Sequence, residues 1–78
     1  MDASLEKRLK ELSTKGSQIA AIETSIAEKK QLIENLQNTA AKTRGLPDVV
    51  RLAKMTIASL EKEIEQEKAE IEILRDAL

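Results

Sequence analysis

The chain has 78 residues and a formal charge of −1, with 41% hydrophobic and 35% charged residues and no Cys, His, Trp, Tyr or Phe. That excludes disulfide staples, thiolate or imidazole metal sites, Cys–His and Ser–His nucleophile pairs and aromatic stacking on bases. The near-neutral charge gives no broad field for nucleic acid or an anionic membrane, and no apolar run is long enough to span a bilayer. Ala, Leu and Ile make up 28 of the 32 hydrophobic residues, the composition of long helices. The start, Met1-Asp2-Ala3-Ser4, lacks the pattern of a signal peptide or a myristoylation site, so the expected location is cytoplasmic.

The first element is a helix predicted over about residues 3–43. Leu5, Leu9, Leu12 and Gly16 step by 4, 3 and 4. Ile19, Ile22, Ile26, Lys29, Ile33, Leu36 and Ala40 then continue the 3–4 spacing. Joining the two runs needs two consecutive three-residue steps, beside Thr14-Lys15-Gly16-Ser17. A kink or break could fall at residues 14–17, with Ser17 available as a new N-cap, but strong helix formers on both sides favour a continuous helix.

The stretch Lys42-Thr43-Arg44-Gly45-Leu46-Pro47-Asp48 reads as a helix–loop–helix joint, with the loop at 44–46. Basic residues close the first helix, Gly45 suits a left-handed C′ position, Pro47 fits the first turn of a second helix, and Asp48 faces its positive end.

The second helix, over about 47–78, carries the clearest pattern. Val50, Ile57, Ile64, Ile71 and Leu78 fall at heptad position a; Leu46, Ala53, Leu60, Glu67 and Leu74 fall at d. The fold class is therefore all-α: an antiparallel helical hairpin, a two-helix coiled coil in one domain, expected to form a four-helix bundle on dimerisation. If the chain reverses near residue 45, facing residues have numbers summing to about 90. Ala40 with Val50, Ile33 with Ile57, Ile26 with Ile64 and Ile19 with Ile71 meet this, and Leu12 would face Leu78. Residues 61–78 hold seven acids against three bases, and residues 7–15 four bases against Glu11, so antiparallel folding brings opposite charges together. Lys29 and Glu67, the two charged seam residues, are not in one layer, and both are expected to lean out to water.

Two features exceed a self-sufficient hairpin. Leu5 and Leu9 overhang the second helix. Leu32, Val49, Leu52, Met55 and Ile73 lie off the seam, with Leu32, Val49 and Leu52 near one another toward the loop. Leu5, Leu9, Leu32, Val49, Leu52 and Ile73 are the candidate partner-binding residues, toward a second copy or another coiled-coil protein. Lys42, Arg44, Arg51 and Lys54 give the loop region a net +3 against Asp48 and could meet phosphate or an acidic protein surface. The carboxylates from Glu61 to Glu72 alternate with Lys62, Gln66 and Lys68 as a solvated helix face does, and no His completes a metal site. No metal, cofactor or enzymatic activity is expected.

These features predict a non-catalytic interaction module: an adaptor, assembly factor or small inhibitor. Two alternatives rest on layout. The chain resembles the small plasmid-regulating RNA-binding bundles, dimers of helical hairpins, which would imply a nucleic-acid regulator working through the basic tip. With its turn at Leu46-Pro47-Asp48 it is also similar in layout to type III needle subunits and their co-chaperones, which would imply a filament or secretion assembly role. A segment of a larger coiled-coil protein would show the same overhang.

Overall fold

A computed structural model describes residues 3–77. It contains two helices, α1 (Ala3–Lys42) and α2 (Pro47–Asp76), folded back on each other as an antiparallel hairpin. The rod measures 68 × 15 × 11 Å between Cα extremes, with a radius of gyration of 18.7 Å. A globular chain of this length would have a radius near ~12 Å.

The seam is built as its 3–4 spacing requires, because residues three and four apart share one helix face. Ile26, Ala53, Ile64 and Ile71 are its buried members, and Ile19, Ile22 and Ile33 pack against the isoleucine cluster. Leu36, Ala40, Val50, Ile57, Leu60 and Leu74 are half-buried. Among the described residues, no side chain is fully enclosed. A single two-helix interface covers each seam residue on one side only, so burial stops short of a true core.

Helix α1 runs through residues 14–17 without a break. The Thr14 hydroxyl donates to the Lys10 carbonyl at 2.9 Å, and space around Gly16 is open. Intact i→i−4 hydrogen bonding on both flanks outweighs the roughly 1 kcal/mol cost of one glycine, and Ser17 is not used as a cap.

The loop corrects one expectation. Gly45 does not adopt positive φ, and no described residue does. The turn is closed by Thr43 N–H to Thr39 O at 3.0 Å and by Leu46 N–H to Thr43 O at 2.9 Å, which needs no left-handed residue. Leu46, at φ −120° and ψ 83°, is held extended by Pro47, and its carbonyl accepts from Val49 and Val50 at 3.1 Å each. Leu46 therefore belongs to the loop rather than the seam, and it is exposed. The proposed Leu12–Leu78 contact involves Leu78, which lies outside the described residues; Leu12 is exposed.

Candidate interaction surfaces

The antiparallel coil has two flanks, formed by heptad positions e and g beside the seam. In an antiparallel pair each e faces the partner helix's e, and each g its g. Ile19, Ile26, Ile33 and Ala40 occupy a in α1, which places Glu23, Lys30 and Gln37 at e, with Arg44 following in the turn, and Gln18, Ser25, Leu32 and Thr39 at g. In α2, Lys54, Glu61, Lys68 and Arg75 fall at e, and Val49, Thr56, Glu63 and Glu70 at g.

The two flanks differ sharply in chemistry. Six of these seven e residues are charged, and Arg75 pairs with Glu23 across the helices at 3.3 Å. The g flank divides by height along the rod. Toward the free ends it carries Gln18, Ser25, Glu63 and Glu70. Toward the loop it carries Leu32, Thr39, Val49 and Thr56, with Leu52 one step outward at position c. Leu32, Val49 and Leu52 are large exposed hydrophobics. The threonines add little polarity, because their hydroxyls bond to their own helix. Thr39 Oγ1 donates to the Asn35 carbonyl at 3.0 Å and Thr56 Oγ1 to the Leu52 carbonyl at 2.9 Å. A hydroxyl that donates to its own helix has its proton committed and is less polar toward a partner. The loop half of the g flank is thus a surface of Leu, Val and Thr side chains. It extends from residue 32 to the turn and back to residue 56, roughly 20 Å along the axis.

The sequence-predicted partner residues therefore occupy three separate places. Leu32, Val49 and Leu52 share the g flank. Leu5 and Leu9 lie on the overhang. Ile73 stands some 30 Å from Leu52 along α2, at ~1.5 Å per residue, and joins neither group. Thr39 and Thr56 were missed by sequence reasoning; their shared g position with Leu32 and Val49 was the signal that could have found them.

The overhang is defined by its last cross-helix contact. Lys15 Nζ donates to the Ala77 carbonyl at 3.0 Å, fixing where α2 ends against α1. The first turns of α1 project beyond it with Leu5 and Leu9 exposed, while Leu12 shares a depression with Arg8, Glu11 and Ala77 at the end of α2.

At the loop, Arg44, Arg51 and Lys54 converge with Pro47 and Val50 around one shallow depression. Lys42, the fourth basic residue expected there, is not in its lining; in the heptad register it falls at c, on the outer side of the g flank.

The charged seam residues depart from expectation. Lys29 and Glu67 do not lean apart into water: Lys29 Nζ donates to Glu67 Oε1, with Glu63 Oε2 3.8 Å away. The cross-helix contacts of Lys15 with Ala77, Lys29 with Glu63 and Glu67, and Glu23 with Arg75 join residues whose numbers sum to 92–98 rather than about 90, and the lysine's four-carbon stem covers the remaining offset to Glu67. The pair is part-buried. The hydrogen bond from Lys29, then one from Ser25, lowers the Glu67 pKa from its usual 4.5. The hydrogen bond to Glu67 raises that of Lys29 from 10.5.

Among the described residues no cluster of three or more Asp, Glu, His or Cys could hold a metal, and no helix is long and apolar enough to cross a membrane. No family model, curated protein or solved structure matches the chain.

Proposed function

We propose that the chain is a non-catalytic protein–protein interaction module that works by packing helix faces, with the loop half of its g flank as the main recognition surface. The observation that carries this reading is the contrast between the flanks: the e positions are almost all charged, whereas the g positions of the loop half are uncharged and carry the exposed Leu32 and Val49 beside Leu52. Surface area supports it. The chain exposes 6088 Å², against about 4,700 Å² for a compact monomer of 8.7 kDa. Helical hairpins with such a surplus bury it against further helices, and a four-helix bundle made from two copies is the simplest arrangement. Adaptor, assembly-factor and inhibitor roles all use this kind of surface.

Leu32→Glu combined with Leu52→Glu tests the reading. The double variant should lose association with a second copy or with a coiled-coil partner while keeping its helical circular dichroism. The e-flank control Lys30→Glu with Lys68→Glu should associate as the natural chain does. Equal association of all three proteins would refute the assignment. The convergence of Arg44, Arg51 and Lys54 favours a second reading, phosphate contact at the tip. It requires RNA or DNA binding near 50 mM salt, where phosphate contacts are strongest, and loss of that binding when the three are neutralised.

A further inference from the structure

We infer that the Lys29–Glu67 pair selects which helices meet: it holds α1 against α2 and keeps α2 from zipping in parallel onto the α2 of a second copy. The seam alone is involved, whatever covers the g flank.

The competing arrangement lies in α2 itself. Val50, Ile57, Ile64 and Ile71 stand at a, and Ala53, Leu60 and Leu74 stand at d. β-Branched residues at a with leucine at d are the pattern of parallel two-stranded coiled coils. The flanks favour the same arrangement. In a parallel pair each g residue meets the e residue five places on in the other helix. Glu63 would then meet the second copy's Lys68, and Glu70 its Arg75, both pairs of opposite charge.

Among the a and d positions of α2, only Glu67 opposes this. In register it faces its own counterpart at d, so two carboxylates meet inside an apolar seam. Like charges brought together out of water, with no cation between them, strongly disfavour that pairing. Helix α1 has the matching interruption with the opposite sign. Ile19, Ile26 and Ile33 hold a, Ile22 and Leu36 hold d, and Lys29 stands at d between the last two. Parallel self-pairing of α1 sets ammonium against ammonium. Pairing of α1 with α2 instead sets Lys29 against Glu67.

The pair sits where such a choice is enforced. Lys29 lies between Ile26 and Ile33 in α1, and Glu67 between Ile64 and Ile71 in α2, all four in the isoleucine cluster. The two charged side chains are only 24% and 15% exposed. The Arg75–Glu23 pair, more than half exposed on both sides, is too well solvated to discriminate in this way. A part-buried ion pair adds little net stability, because desolvation offsets attraction, but a mismatched one is strongly penalised.

The natural chain has no cysteine, so Leu74→Cys reports the pairing of α2. Leu74 is half-buried in the hairpin. In a parallel α2 pair it faces its own counterpart, within the 4.4–6.8 Å Cα separation a disulfide needs. Lys29→Leu with Glu67→Leu removes the selection and leaves an apolar seam. In that background Leu74→Cys should cross-link to its own copy at least about tenfold faster than in the natural seam, with a Tm no lower. The exchanged pair, Lys29→Glu with Glu67→Lys, should cross-link as slowly as the natural seam, because opposite charges still meet only between α1 and α2. An apolar variant that cross-links no faster than the natural seam would overturn the selection. So would faster cross-linking with a lower Tm, since the pair would then be an ordinary stabilising contact. Equal rates in the exchanged and apolar variants would overturn it too. These substitutions leave Leu32, Val49 and Leu52 intact, so failure of the g flank as a recognition surface would be seen separately.

Discussion

Replacing Gly45 by alanine separates two accounts of the turn by the sign of the effect. A glycine just past a helix end usually takes positive φ, and alanine forced into that conformation costs roughly 1–2 kcal/mol. In this hairpin Gly45 has no positive φ, and a Cβ built on it meets nothing within 4 Å. The turn hydrogen bonds run through Thr43 and Leu46, not through Gly45. Alanine therefore fits the native backbone unstrained and restricts the unfolded chain more than glycine does, a gain of about 0.4–1 kcal/mol. For a chain of this size that raises Tm by roughly 2–8 °C. Circular dichroism at 222 nm is the assay, since no aromatic side chain is present, with both proteins at one concentration because dimerisation would itself raise Tm. A fall in Tm of about 4 °C or more would refute the reasoning and restore the left-handed turn.

Other consequences follow from the same geometry. Gly16→Ala, in open space inside an unbroken helix, should gain about 1 kcal/mol and some helical signal, whereas a kinked helix would show no change in either. Ile64→Ala, at the most buried point of the isoleucine cluster, should cost about 2–3 kcal/mol, the low end for such truncations because an open seam can close in. With a total stability of roughly 4–12 kcal/mol to draw on, that variant should melt more than about 10 °C lower in the same assay. Glu67 has a lowered folded pKa, so its contribution is present above about pH 4.5 and lost as pH falls further. Lys29 has a raised one, so its contribution is present below about pH 10.5 and lost as pH rises further. Tm should accordingly hold a plateau between those limits, and Lys29→Gln should make the acid limb shallower; an unchanged acid limb would dissociate it from this pair.

Much of this architecture was legible because spacing alone determines it. Val50, Ile57, Ile64 and Ile71 fix a face and Pro47 with Gly45 marks the reversal, while the register was read only approximately: the cross-helix contacts join numbers summing to 92–98, not 90. The unread parts depend on reach and context. Lys29 and Glu67 sit in different layers, and only the length of the lysine stem lets them meet. Gly45 looks like a left-handed cap, but the following Leu46-Pro47 pair sets an extended backbone that makes the cap unnecessary. Leu32, Val49 and Leu52 were singled out as exposed hydrophobes. The surface they belong to depends on facing g positions of both helices, which place Thr39 and Thr56 beside them.

Molar mass in solution across a hundredfold range of concentration, by light scattering with refractive-index detection, tests the central claim most directly. If the loop half of the g flank is a recognition surface for a second copy, the mass rises from 8.7 kDa toward twice that value, and Leu32→Glu with Leu52→Glu holds it at the monomer. A natural chain that stays at 8.7 kDa throughout would contradict self-recognition. An equal rise in the double variant would contradict the surface.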